Sequence, residues 1–125
     1  EWKKKQFTPV YWLEGEEGYF IDVLMDHAEH HIMNEQEASF NLTVFYGRDA
    51  VWSDVINACR RYPMFTDKQV VLLKEAQHMR DIDKLEPYID QPLESTIFVV
   101  GYKEKKMDGR SKMGKMLPKK TNILF

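Results

Sequence analysis

The sequence predicts a three-layer α/β domain, a five-stranded parallel sheet with helices on both faces. Two observations predict it. Strand-like and helix-like segments alternate along the whole chain, the pattern of strands joined by helical crossovers. The runs Val70–Leu73 and Ile97–Val100 are apolar at every position and lack the in-out alternation of a strand that faces water, so they belong at the centre of the sheet.

Each element follows in order. Residues 1–8 are a polar lead-in. Pro9–Leu13 is a short β-rich run closed by Glu14-Gly15. Tyr19–Ile32 has helical periodicity, with Phe20, Val23, Leu24, His27, Ala28 and His31 on one face. Ser39–Tyr46 reads as a strand stopped by Gly47, and Val51–Tyr62 as a helix with Val51, Val55, Ala58, Cys59 and Tyr62 on one face. Pro63 disfavours helical dihedrals at Tyr62 and sets the expected helix end there. Gln69–Leu73 is the third strand, Ile82–Ile89 a short helix, and Ser95–Tyr102 the fourth strand. Arg110–Leu117 forms a helix stopped by Pro118, and Thr121–Phe125 is the last strand. Right-handed crossovers restrict such an order to a Rossmann-like or P-loop-like sheet. The chain stops on an apolar strand, which marks it as a domain of a longer protein.

The 125 residues suit one domain, and three Trp, six Tyr and seven Phe supply bulk for a core. The net charge of -2 excludes a polyelectrolyte role for the chain as a whole. Its distribution is uneven: Lys103–Lys120 carries eight Lys/Arg against two Asp/Glu. That segment has no aromatic interleaving after Tyr102, so a solvated face is favoured over nucleic-acid contact. The one cysteine, Cys59, excludes an internal disulfide, suits a reducing cytoplasm, and reads as a small core residue. No segment is long and apolar enough to span a membrane, and no signal-peptide pattern opens the chain.

Folds of this kind bind phosphate at the first strand-to-helix turn, using glycines for close backbone approach and a lysine for charge. Here that turn is Gly15-Glu16-Glu17-Gly18, with two carboxylates and no Gly-Lys-Ser/Thr ending. A magnesium-binding acid is expected at the end of the third strand. The chain has Lys74-Glu75-Ala76-Gln77 there, with a cation in the first acidic position. Both motifs read as degenerate, against the alternative of a nucleotide-binding P-loop-type switch. His27 and His31 are four apart on a helix, the spacing of a zinc pair, but lack the His-Glu-x-x-His pattern and lie on the apolar stripe, so no metal is expected. No cofactor and no intrinsic catalysis are expected.

The unusual stretch is Arg60-Arg61-Tyr62-Pro63-Met64-Phe65-Thr66-Asp67-Lys68-Gln69. A helix-to-strand connection crosses water and is normally polar. This one places Tyr62, Met64 and Phe65 around a proline, which suggests a contact surface for a partner protein.

The order Pro9-Val10-Tyr11-Trp12-Leu13, Gly15-Glu16-Glu17, Tyr19-Phe20-Ile21 resembles the opening of the delta subunit of bacterial DNA polymerase III. Phe45-Tyr46-Gly47, Arg61-Tyr62-Pro63-Met64-Phe65, Lys74-Glu75-Ala76-Gln77, Ser95–Val100 and Arg110-Ser111-Lys112 continue the likeness in order from residue 9 onward. The resemblance implies a clamp-loader subunit of DNA replication whose first domain, residues 9–125 here, has an AAA+-like fold with a lost ATP site. It implies that a lid and a collar domain, which binds the other loader subunits, lie outside this chain. It also implies binding of the sliding clamp (beta subunit) through Tyr62, Met64 and Phe65, with Arg60 and Arg61 at the rim. Contact with DNA is then indirect or through Lys103–Lys120.

Overall fold

The structure, a computed structural model, describes residues 9–15, 18–31, 41–63, 68–103 and 122–124. Strands β1 (Val10–Gly15), β2 (Leu42–Tyr46), β3 (Gln69–Lys74), β4 (Thr96–Lys103) and β5 (Asn122–Leu124) form one sheet in the order β2-β3-β4-β1-β5. Every pairing is parallel, as expected. The register sets Val70 beside Ile97, Val10 beside Phe98, and Tyr11 beside Asn122.

Alternate residues of each strand feed two cores, because successive side chains leave opposite faces of a sheet. On one face Tyr11, Leu13, Val70, Leu72, Ile97 and Val99 pack under helix α1 (Gly18–His31). On the other, Trp12, Val71, Leu73, Phe98 and Val100 meet helices α2 (Trp52–Cys59) and α3 (Glu86–Asp90) and the 3-10 turns Ala76–His78 and Ile82–Leu85. The unbroken apolar runs of β3 and β4 thus have a helical layer on each side. Burying one such large side chain stabilises the fold by about 1.5–3 kcal/mol. Tyr88 packs edge-on against Phe98 at 6.0 Å, and Trp12 lies tilted over Tyr102 at 5.6 Å.

Three local expectations are corrected. The buried face of α1 is Ile21, Met25 and Ala28, with Leu24 partly covered; Phe20 and Val23 are exposed. Gly101 explains the choice, since a Cβ there would lie 3.2 Å from Met25 Cγ and 3.3 Å from Ile21 Cγ2. The helix comes down onto the sheet where β4 has no side chain, and that fixes its rotation.

The second helix ends at Cys59 rather than Tyr62. Its last carbonyls are taken by side chains of β3 and β4, described below, so the chain leaves the helix before Pro63 can act. The expected helix Ile82–Ile89 is two pieces, a 3-10 turn and then α3, because Pro87 in the first turn of α3 has no N–H to extend a helix from upstream. The expected helix Arg110–Leu117 lies outside the described residues.

At the end of β3, Glu75 takes a left-handed conformation (φ 55°), which a non-glycine residue adopts only when its surroundings hold it. Gly47 holds it: the Gly47 N–H donates to Lys74 O at 2.7 Å. A Cβ on Gly47 would sit 2.1 Å from Glu75 O.

Candidate functional site

The carboxyl ends of β1, β3 and β4 are where a sheet of this topology receives a ligand. Gly15 ends β1 and Gly18 opens α1, while Glu16 and Glu17 lie outside the described residues. The space beyond Gly18 is taken by Lys103, whose Cε lies 3.5 Å from where a Gly18 Cβ would be. The Lys103 ammonium donates to both Asp22 carboxylate oxygens at 3.0 and 3.1 Å and pairs with Glu75 Oε2 at 2.9 Å. Burial opposes its charge, but the hydrogen bonds it donates to Glu75 and Asp22 outweigh burial and hold its pKa above the ordinary lysine value. Its backbone N–H donates to Gln77 Oε1 at 3.0 Å.

Lys74 pairs with Glu29 on α1 and lies 5.8 Å over the Tyr46 ring. The two lysines and their acidic partners therefore neutralise one another across this end of the sheet. A cavity of about 330 Å³ remains, lined by Met25, Asp26, Tyr46 and Gly101 besides the charged groups. A phosphate entering it meets Asp22, Asp26 and Glu75 and finds both ammonium groups engaged. Among the described residues, no three His, Cys, Asp or Glu side chains converge as a metal site. His27 is half-buried, and His30 is exposed, with its Nδ1 3.1 Å from Asp26 O. The side chain of His31 lies outside the described residues.

The opposite, amino-terminal end of the sheet has a different chemistry. Gln69 and Thr96 open β3 and β4 and are both buried. The Gln69 side-chain amide donates to Arg61 O at 2.6 Å and Thr96 Oγ1 at 2.8 Å, with Ala58 O also 3.0 Å away. Thr96 Oγ1 donates in turn to Cys59 O at 2.6 Å. Carbonyls only accept, so the NH₂ end of Gln69 must face this cluster. Tyr88 closes the network, its hydroxyl 3.5 Å from Cys59 O and accepting from the Leu93 N–H at 3.3 Å. These groups satisfy the orphan carbonyls that every helix C-terminus leaves, and they pin the end of α2 to two strands and α3.

From that pinned end the chain turns outward. Tyr62 is 79% exposed. Arg60 lies over the Tyr88 ring at 5.8 Å, and Arg61 Nη2 donates to Thr43 Oγ1 at 3.1 Å. Of the expected partner-binding residues, Arg60, Arg61 and Tyr62 thus come together on one exposed corner, and Met64 and Phe65 lie outside the described residues. Cys59 is fully buried beneath them. Burial pushes its thiol up despite the nearby Arg61 and Arg60, so it stays protonated and is no nucleophile.

Two functional positions were not apparent in the sequence. The sequence groups Lys103 with the basic segment as a solvated or DNA-facing charge; in the structure it is mostly buried and paired with Asp22 and Glu75. Gln69 reads in the sequence as the start of a strand, although a polar residue opening an otherwise apolar strand, as Thr96 also is, is the mark of such a cap.

The family model for the delta subunit of DNA polymerase III matches residues 11–124. The chain belongs to this family. It is 26% identical over 127 residues to DNA polymerase III subunit delta of Bacillus subtilis (strain 168), covering 94% of this chain and 37% of the relative. The solved DNA clamp loader delta protein of Bacillus subtilis (YqeN) superposes with a TM-score of 0.85 at 25% identity, over 98% of this chain and 39% of that one. This delta-family chain therefore spans under two fifths of the length of these relatives. A gamma-subunit-related protein of DNA polymerase III (TM-score 0.62, 10% identity) and the RuvB branch-migration motor (TM-score 0.52, 18% identity), both from Thermotoga maritima, share the fold. They cover 98% of the delta-family chain with 42% and 39% of their own lengths, and share its parallel α/β fold.

Proposed function

We propose that this delta-family domain is the sliding-clamp-binding part of a clamp-loader subunit, and that it helps open or unload the ring without hydrolysing ATP itself. The observation that carries the proposal is the exposed Tyr62 at a helix end fixed from inside by Gln69 and Thr96. Such an end holds Tyr62 with little freedom left to lose on binding, and Met64 and Phe65, next in the sequence, complete the proposed apolar wedge. Each apolar side chain of the wedge contributes roughly 1–3 kcal/mol when fully desolvated in a partner's pocket. Arg60 and Arg61 stand at the rim and steer towards an acidic clamp surface. Gripping one protomer in a shape that the closed ring cannot hold shifts the clamp towards open, by no more than the difference in affinity for the two states.

The ion pairs of Lys103 and Lys74 support the second half of the proposal. Gly15, Glu16, Glu17, Gly18, Lys74 and Glu75 are then a nucleotide site out of use, and ATP is the business of other subunits. The family relationship supports residues 9–125 as the amino-terminal domain of a longer subunit of the polymerase holoenzyme, with lid and collar domains that join the other loader subunits. No helix among the described residues is long and apolar enough to cross a membrane, and the cytoplasm, where replication runs, is the proposed location. Contact with DNA is indirect or uses the basic segment beyond Lys103, since Lys103 itself is held by carboxylates.

The test is a pull-down with the organism's sliding clamp, wild type against Met64→Ala/Phe65→Ala. Loss of clamp retention in a folded double variant is expected. Undiminished retention overturns the wedge assignment.

A further inference from the structure

Tyr62 does not stand alone on its corner. It forms one wall of an open groove of about 660 Å³ that runs to α3 and the turn after it, lined by Arg60, Pro87, Asp90, Gln91 and Pro92, with Tyr88 and Leu93 as the floor. Pro87 and Gln91 are exposed, Pro92 and Leu93 half-buried, and Tyr88 is buried. The floor is rigid, because the Tyr88 hydroxyl is tied to Cys59 O and Leu93 N.

The area needed decides what this groove is for. A stable, specific protein interface buries about 800 Å² on each partner. Large aromatic side chains bury about 150–250 Å² each, so Tyr62 and Phe65 supply roughly 300–500 Å², and Met64 adds less than the remainder. The rest must come from surface continuous with Tyr62, and the groove is one such surface.

On the clamp-binding function proposed above, we propose that the groove between Arg60 and Gln91 is a second contact of the same interface. It takes a clamp segment that carries a carboxylate beside an apolar side chain. The carboxylate meets Arg60, whose guanidinium is already held over the Tyr88 ring and gives up little rotamer freedom on pairing. The apolar side chain rests on Tyr62, Pro87 and Pro92.

Photo-crosslinking in the full-length subunit tests this. A benzophenone amino acid replaces Gln91 in one variant and Phe65 in another, and each is irradiated with the purified clamp. Adducts to the clamp from both positions are expected, that from position 91 mapping beside an Asp or Glu. An adduct from position 65 with none from position 91 overturns the groove contact and leaves the wedge standing. No adduct from either position overturns the clamp-binding function itself. In a second measurement, Pro87→Glu/Gln91→Glu places two carboxylates where the clamp's own must lie, and the clamp Kd is expected to rise at least fivefold. An unchanged Kd overturns the groove contact.

Discussion

The ammonium of Lys103 lies 3.0 Å from the carboxylate of Asp22, 81 residues earlier in the chain. With Glu75 on its other side, this lysine joins α1, β4 and the turn after β3 at the point where the fold would otherwise hold a phosphate.

Calorimetric titration with Mg-ATP is therefore expected to give no binding heat in the micromolar range. A micromolar Kd would overturn the idle-site assignment and restore the P-loop-type switch. Lys103→Met removes the cation and leaves Asp22 and Glu75 facing each other. Asp22 is exposed and Glu75 half-exposed, so the loss is about 1 kcal/mol, seen as a lower Tm at low ionic strength and shrinking as salt is added.

Alkaline pH is expected to destabilise the domain with a defined profile. Burial raises the Tyr88 phenol from its ordinary 10.0 to about 12. Between those values the folded protein keeps a proton that the unfolded chain has released, so stability falls by about 1.4 kcal/mol per pH unit. Cys59, raised by burial, acts in the same direction from the ordinary thiol range upward. Lys103, also raised, gives its full stabilisation below the unfolded lysine value and loses it as pH climbs through its folded one. Denaturant melts from pH 8 to 12 of wild type and Tyr88→Phe check this, the variant losing less stability across the window from about 10 to about 12.

Gln69→Leu keeps the bulk of the side chain and deletes the donor. The part-buried carbonyl of Arg61 then loses its side-chain donor and Ala58 O keeps only the Arg61 N–H, at a cost of about 1–3 kcal/mol. Clamp retention is expected to fall beyond what the lost stability explains, because the helix end that carries Tyr62 is no longer fixed. Hydrogen exchange of the amides from Arg60 to Tyr62 separates local release from global unfolding.

Two glycines give opposite outcomes under one substitution. In Gly47→Ala the new methyl meets the backbone of Glu75 at 2.1 Å, where nothing yields without moving a strand end, and a loss of about 2–4 kcal/mol is expected. In Gly101→Ala the nearest atoms are Met25 Cγ and Sδ at 3.2 Å, in a flexible side chain that moves aside, and the loss is expected to stay near 1 kcal/mol. Urea midpoints of the two variants check the contrast.

The central strands were legible because a strand covered on both faces must be apolar throughout, as Val70–Leu73 and Ile97–Val100 are. The rotation of α1 was not, because its sequence holds two overlapping apolar stripes. Phe20 with Val23 fits helical spacing as well as Ile21 with Met25, and the bare backbone of Gly101 makes room for the second. The exposed corner at Tyr62 was legible as apolar residues beside a proline in a connection. The devices that define both ends of the sheet were not. A lysine at position 103 and a glutamine at position 69 announce a charge and an amide, but their partners, Asp22 with Glu75 and the end of α2, lie far away in sequence.

The position of β1 governs when this domain can fold. It lies between β4 and β5, so Val10 waits for Phe98 and Tyr11 for Asn122. Local helices form within microseconds, whereas closing such distant pairs is slow. On the ribosome, the first strand to emerge has neither of its neighbours until the fourth and fifth have followed it. Trp12 and Leu13 therefore stay without their core until β4 has been made, and over that interval the uncovered strand is open to pairing with another copy.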